Sequence, residues 1–181
     1  KAKDIFVGQK TSCALLNNNS LQCWGSKSSN HHRVEKFKDV KQASIGNDHI
    51  CITTTDHNVL CKGDNTQYQL GSSNPRTDFN TLEIKNSRQV IARNNYSCAL
   101  LFSGQIKCWG DLRPLRHFIP ASQAESEKYY PSNYTEKYAP IEITYLNKPD
   151  DIIKAVIASN NDICVLYHMG TNGKKETSTQ N

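Results

Sequence analysis

"SCALLNNNSLQCWG", residues 12–25, sets Cys13 and Cys23 ten residues apart at the two ends of an apolar–polar–apolar run. The same spacing returns at Cys51 and Cys61 in "CITTTDHNVLC", and at Cys98 and Cys108 in "CALLFSGQIKCWG". Each run reads as a β-prone strand, a polar turn (17–19, 55–57 or 103–104) and a return strand. Residues ten apart, folded about a central turn, stand opposite each other across a hairpin, with side chains on one face and Cα atoms within disulfide reach. The spacing therefore predicts three stapled hairpins, each bridge contributing roughly 2.5–3 kcal/mol in the chain-entropy account. A zinc site is not expected, because two thiolates that share an ion favour close pairs such as C-x2-C.

Alignment on the first cysteine yields four copies: "VGQKTSCALL", "SIGNDHICIT", "IARNNYSCALL" and "VIASNNDICVL". Their anchors are Cys13, Cys51, Cys98 and Cys164, at intervals of 38, 47 and 66 residues. Periods of this size indicate stacked or radial units rather than one irregular core. Before each anchor lies a β-prone run, "IFVG", "KQASIG", "RQVIAR" or "IIKAVIAS", ended by a polar turn. The fourth copy has no second cysteine, so Cys164 is expected to lack a partner in its own hairpin and to be unpaired or bonded to another chain.

The chain has 181 residues, 36% hydrophobic and 22% charged, and no apolar run long enough for a membrane-spanning helix. It has no initiating Met and no leader, which suggests a processed chain or a section of a longer one. A net charge of +5 is spread over 22 Lys/Arg and 17 Asp/Glu. The densest basic groups, 31–33, 113–117 and 174–175, are thinner than a nucleic-acid footprint, so a nucleic-acid partner is not expected. Three matched cysteine pairs suit an extracellular or secretory-lumen protein. Sequons at Asn18, Asn95 and Asn133 agree with that route and are candidate glycosylation sites.

The repeated residues resemble the repeat of the regulator-of-chromosome-condensation family. His49 and Tyr96 fill the position two before the anchor cysteine, Trp24, Gly25, Trp109 and Gly110 the W-G position, and Gln69, Leu70 and Gly71 the Q-L-G position. The resemblance covers 4–71, 87–110 and about 140–170. It implies an all-β fold of propeller blades, about three and a half to four units of an incomplete ring that has seven blades in the family. Lys62 departs from the family's Trp, and "SKSSNHHRV" replaces the Q-L-G loop in the first repeat. The repeat position puts Trp24 and Trp109 in blade core or inter-blade packing, and makes Gly25, Gly63 and Gly110 turn glycines.

The expected organisation is three tandem repeats over 1–110, a Tyr/Pro-rich insertion over 111–139, a partial fourth repeat over 140–170 and a disordered polar tail over 171–181. The insertion carries the candidate partner-binding residues Arg113, Arg116, Tyr129, Tyr130, Tyr134 and Tyr138, since Tyr joins apolar area to a hydroxyl with few rotatable bonds. No catalytic motif, metal site or cofactor site is read from the sequence; His31 and His32 point apart on an extended segment. The expected function is non-enzymatic extracellular recognition of a protein or surface glycan. Disulfide-stapled relatives resemble the ectodomains of Crinkly-type plant receptor kinases and secreted bacterial inhibitor propellers. The alternative is the namesake's nucleotide exchange on a small GTPase with chromatin docking, in a reducing compartment where three regular bridges would serve no purpose.

Overall fold

The computed structural model describes residues 1–25, 35–73, 80–82, 84–118, 140–143, 152–158 and 163–168. Three antiparallel four-stranded sheets follow one another along the chain, each built as a meander. The first holds β1 (Ala2–Val7), β2 (Thr11–Leu16), β3 (Leu21–Gly25) and β4 (Glu35–Phe37). The second holds β5 (Val40–Ile45), β6 (His49–Thr54), β7 (Val59–Gly63) and β8 (Asn80–Thr81). The third holds β9 (Ser87–Arg93), β10 (Tyr96–Leu101), β11 (Ile106–Gly110) and β12 (Ile141–Glu142). A hairpin of β13 (Ile152–Ala158) and β14 (Ile163–His168) starts a fourth, and a 3-10 turn spans Arg113–Phe118. These sheets are the blades of a β-propeller. Among the described residues no helix is long and apolar enough to cross a membrane.

The hairpins form where the cysteine spacing places them. Cys13 lies opposite Cys23, Cys51 opposite Cys61 and Cys98 opposite Cys108, and all three pairs are bonded. Their Cα separations of 4.1, 4.1 and 4.0 Å match the closely spaced, non-hydrogen-bonded kind of cross-strand pair. Each hairpin turn ends on a left-handed residue, Asn19, His57 or Gly104, as three-residue hairpin loops require.

Two expectations need correction. Residues 141–142 do not open the fourth unit, because Ile141 pairs with Cys108 and Glu142 with Lys107 as the last strand of blade 3. The insertion thus interrupts a blade rather than separating two, a placement hidden by an outer strand only two residues long. Gly25, Gly63 and Gly110 are strand-end residues rather than turn residues. Their left-handed φ aside, a Cβ on any of them would overlap the backbone of the paired strand at Thr11, His49 or Tyr96.

The core lies in the seams between blades. Cys13, Cys23, Leu15 and Leu21 of blade 1 pack on Val40, Ala43, Ile45, Ile50 and Ile52 of blade 2. Cys51, Cys61 and Val59 of blade 2 pack on Val90, Ala92, Ala99 and Trp109 of blade 3. Cys98, Cys108, Leu100 and Ile106 of blade 3 meet Val156 and Val165 of blade 4. One disulfide therefore sits in each seam. The period of two in a strand sends alternate residues to opposite seams, so β6 and β10 are buried through their first five residues. By contrast β2 buries only Cys13 and Leu15.

Polar side chains lock the seams. The Gln42 amide donates to the Val90 carbonyl at 3.0 Å and accepts from the Val90 N–H at 2.9 Å. Gln89, one blade on, does the same to Val156 at 2.8 and 3.0 Å. Ser44 Oγ accepts from Ala92 N–H at 2.9 Å. Each satisfies backbone groups of the neighbouring blade's inner strand, which no ladder within that sheet reaches.

Candidate functional site

Every blade presents two rims. The upper rim carries the turns between second and third strands and the start of each first strand; the lower rim carries the turns between first and second strands and the loops that leave Gly25, Gly63 and Gly110. Functional surface in such a frame belongs to the rims, because the blade faces are spent in seams.

On the lower rim, the loop after β7 closes the seam between blades 2 and 3. Asn65 Oδ1 accepts from Leu70 N–H at 2.8 Å, and its Nδ2 donates to the Ser72 carbonyl at 2.8 Å. The Gln69 side chain is bound at both ends, accepting from Gln67 N–H and donating to Asp64, each at 2.8 Å. These contacts aim the Gln69 carbonyl into the seam, where it accepts from Trp109 Nε1 and from Ser97 Oγ, both at 3.0 Å. Ser97 Oγ in turn lies 2.8 Å from His49 Nε2.

Because the serine proton goes to Gln69, the imidazole must donate through Nε2, leaving Nδ1 as a buried lone pair with no hydrogen-bond partner. Burial lowers the His49 pKa from 6.5 to about 4, and attraction to Asp64, a hydrogen bond with the Tyr96 backbone and attraction to Asp48 offset this only in part. The His49–Ser97 pair is a neutral clasp between blades. It is closed to solvent, since His49 and Ser97 are both buried.

Sequence-predicted residues fall at different places. Arg113 stands at the root of the insertion on the lower rim, its guanidinium paired with both carboxylate oxygens of Asp111 at 2.7 and 2.6 Å. Leu112 and Leu115 anchor that root in the seam between blades 3 and 4. The side chain of Arg116, and Tyr129, Tyr130, Tyr134 and Tyr138, lie outside the described residues, as do Asn133, His31, His32 and the tail 171–181. Asn18 is exposed in a hairpin turn, and Asn95 is half-buried with its carbonyl accepting from Asp111 N–H. Cys164 is exposed and unbonded, opposite Ile157 in the register that Cys98 holds opposite Ile91.

The two tryptophans differ. Trp109 is fully buried under the loop of the preceding blade, whereas Trp24 is 46% exposed. Trp24 shares the leading face of blade 1 with Ile5 and Val7, which are 65% and 70% exposed. The expectation of seam packing holds for Trp109 and not for Trp24, whose leading face meets no blade among the described residues. The seam glutamines and serine were missed in the sequence; a polar residue inside each β-prone run, Gln42 and Gln89, was the available signal.

Residues 2–32 and 40–69 match the regulator of chromosome condensation (RCC1) repeat. No curated protein matches the chain. Among solved structures, Prp20p of Saccharomyces cerevisiae aligns with a TM-score of 0.67 at 19% identity, over 86% of this chain and 39% of that one. Human WBSCR16 aligns with a TM-score of 0.71 at 16% identity, over 92% and 44%. Yeast RCC1 (Prp20) bound to Kap60 aligns with a TM-score of 0.69 at 14% identity, over 94% and 43%. This chain spans less than half the length of these proteins. At such identities the likeness is one of fold: this is a disulfide-stapled arc of RCC1-type propeller blades.

Proposed function

We propose that this chain is part of a non-enzymatic recognition propeller that works outside the cell or in the secretory lumen. It binds a protein or a surface glycan through its rim loops and the segment 111–139, with further blades from the same or another chain completing the ring. The observation that carries the reading is the set of three hairpin disulfides, one to each seam. Such bonds persist in oxidising compartments, and they hold rim loops on a rigid frame. Glycosylation at Asn18, Asn95 and Asn133 follows from the same compartment. Two similar structures support the binding role by analogy: Prp20p is described with binding properties to Gsp1p and histones, and yeast RCC1 is bound to Kap60.

The exposed leading face of Ile5, Val7 and Trp24, and the exposed Leu166 and Cys164 on the trailing hairpin, support ring completion. Non-reducing peptide mapping of native protein, followed by cross-linking and capture, tests the whole reading. Three intact bonds and a partner lost on deletion of 119–139 are expected. Free thiols throughout would reject the compartment; a partner that ignores the deletion would remove the insertion from the site.

A further inference from the structure

The two rims balance their charge differently. On the lower rim Lys10 pairs with Asp48 at 3.4 Å and Arg113 with Asp111 at 2.6 Å. On the upper rim Lys1, Lys3, Lys38, Lys41, Lys85 and Arg88 are all exposed. Among the described residues none of these six forms an ion pair with a carboxylate. Among the described residues three acids, Asp4, Asp39 and Asp56, share that rim and leave it net basic, with only Asp39 and Asp56 over blades 2 and 3.

The basic residues are placed by a repeated backbone device. Each inner strand begins with a β-bulge, and the extra residue is Lys3 in β1, Lys41 in β5, Arg88 in β9 and Lys154 in β13. A bulge gives up a ladder position in order to re-aim one side chain. With Lys and Arg together only 22 of 181 residues, a cation at all four bulges does not follow from composition.

At the seam of blades 2 and 3 the cation acquires an apolar neighbour. Lys41 Nζ donates to His57 Nδ1 at 3.3 Å and lies 5.5 Å from the centroid of the Phe102 ring. His57 meets Phe102 edge-on at 4.8 Å. Phe102 is 55% exposed at the tip of its hairpin. An uncompensated cation, a polar ring and an open aromatic edge thus share one spot, flanked by Lys38, Lys85 and Arg88.

We propose that the upper rim over blades 2 and 3 binds an acidic polypeptide segment that carries an apolar side chain, its carboxylates meeting Lys41 and Arg88 and its apolar group meeting Phe102. This deepens the protein-binding reading above and rests on it. A polymer of uniform anionic charge fits less well, because Asp39 and Asp56 interrupt the basic rim and Phe102 would gain nothing from sulfate or phosphate. A peptide alternates carboxylate with apolar groups and can leave both acids facing water.

The test uses the full chain and a fluorescent peptide of about 20 residues, rich in Glu with a central Leu-Phe, against heparin and a DNA duplex as competing polyanions. The peptide is expected to bind, to weaken about tenfold on joint Lys41→Glu and Arg88→Glu, and to be insensitive to Lys10→Glu on the lower rim. Phe102→Ala should weaken the peptide and leave heparin unchanged. Equal losses from Lys10→Glu, or heparin or DNA binding tighter than the peptide with no effect of Phe102→Ala, overturn the proposal. A native partner that still cross-links to the double variant would place docking elsewhere, sinking this inference while the protein-binding function stands.

Discussion

Acidification should loosen the seam between blades 2 and 3 through His49. The folded protein holds this imidazole neutral, with its pKa lowered to about 4 by burial, while the unfolded chain titrates near 6.5. Between those values the unfolded state binds more protons, so stability falls as pH falls from about 6.5 to about 4 and changes no further from this group below that. The full shift corresponds to about 3 kcal/mol, and at pH 5 the loss is already about 2 kcal/mol. Protonation would put a charge in a seam lined by Cys51, Cys61 and Trp109, which the Tyr96 backbone and the Asp64 and Asp48 carboxylates compensate only in part. Urea unfolding at pH 7.5 and pH 5 measures the effect, with His49→Gln as the reference that keeps an amide for Ser97 and cannot titrate. The carboxylates contribute equally to both proteins, so the difference between the two pH profiles belongs to His49. Parallel profiles would refute the buried neutral clasp.

Other seams give independent readouts. Removing the central bridge by joint Cys51→Ala and Cys61→Ala should cost about 3 kcal/mol in chemical unfolding, with the far-ultraviolet spectrum retained. Gln89→Ala strands the Val156 N–H and carbonyl, so about 1–3 kcal/mol of stability and the slow hydrogen exchange at Val156 should both be lost, while Val90 keeps its protection through Gln42. Of the two tryptophans, only Trp24 should be reached by iodide in the isolated chain, and its quenching should disappear in an assembly that seats a further blade on β1. Quenching that survives assembly would place the added mass elsewhere.

What the sequence made legible is what lies within one unit. A hairpin closes over ten residues, so Cys13 and Cys23 announce their pairing, and the three-residue turns follow from the Asn, Asp and Gly between them. The seams span longer distances: Gln42 reaches Val90 across 48 residues, and Gln89 reaches Val156 across 67. No local period encodes such a contact, and a lone Gln in a β-prone run reads as a solvent-facing residue until the neighbouring blade stands beside it. The fourth strand of blade 3 was misplaced for a related reason. Two residues, Ile141 and Glu142, cannot display a period of two, and the insertion separates them from the rest of their sheet.

The same geometry explains why equivalent residues have unlike fates, and where binding can reside. Trp24, Lys62 and Trp109 occupy one position in three successive blades, before Gly25, Gly63 and Gly110. Trp109 is covered because the preceding blade contributes the loop whose Gln69 carbonyl accepts its N–H. Trp24 makes the identical strand and turn yet stays half open, so the repeat alone does not bury this side chain; its neighbour does. On the ring-completion reading proposed above, blade faces are addresses for other blades, and the exposed face of β1 is an unfilled seam rather than a ligand site. Recognition of anything else falls to the rims. Of these, the lower rim pairs Lys10 with Asp48 and Arg113 with Asp111, whereas Lys3, Lys41 and Arg88, at three of the upper rim's bulges, have no acidic partner among the described residues. Within the fold Lys3 meets Asn19 and Lys41 meets His57 and Phe102, contacts with no carboxylate among them, so the positive charge these bulges present is left for a partner outside the fold.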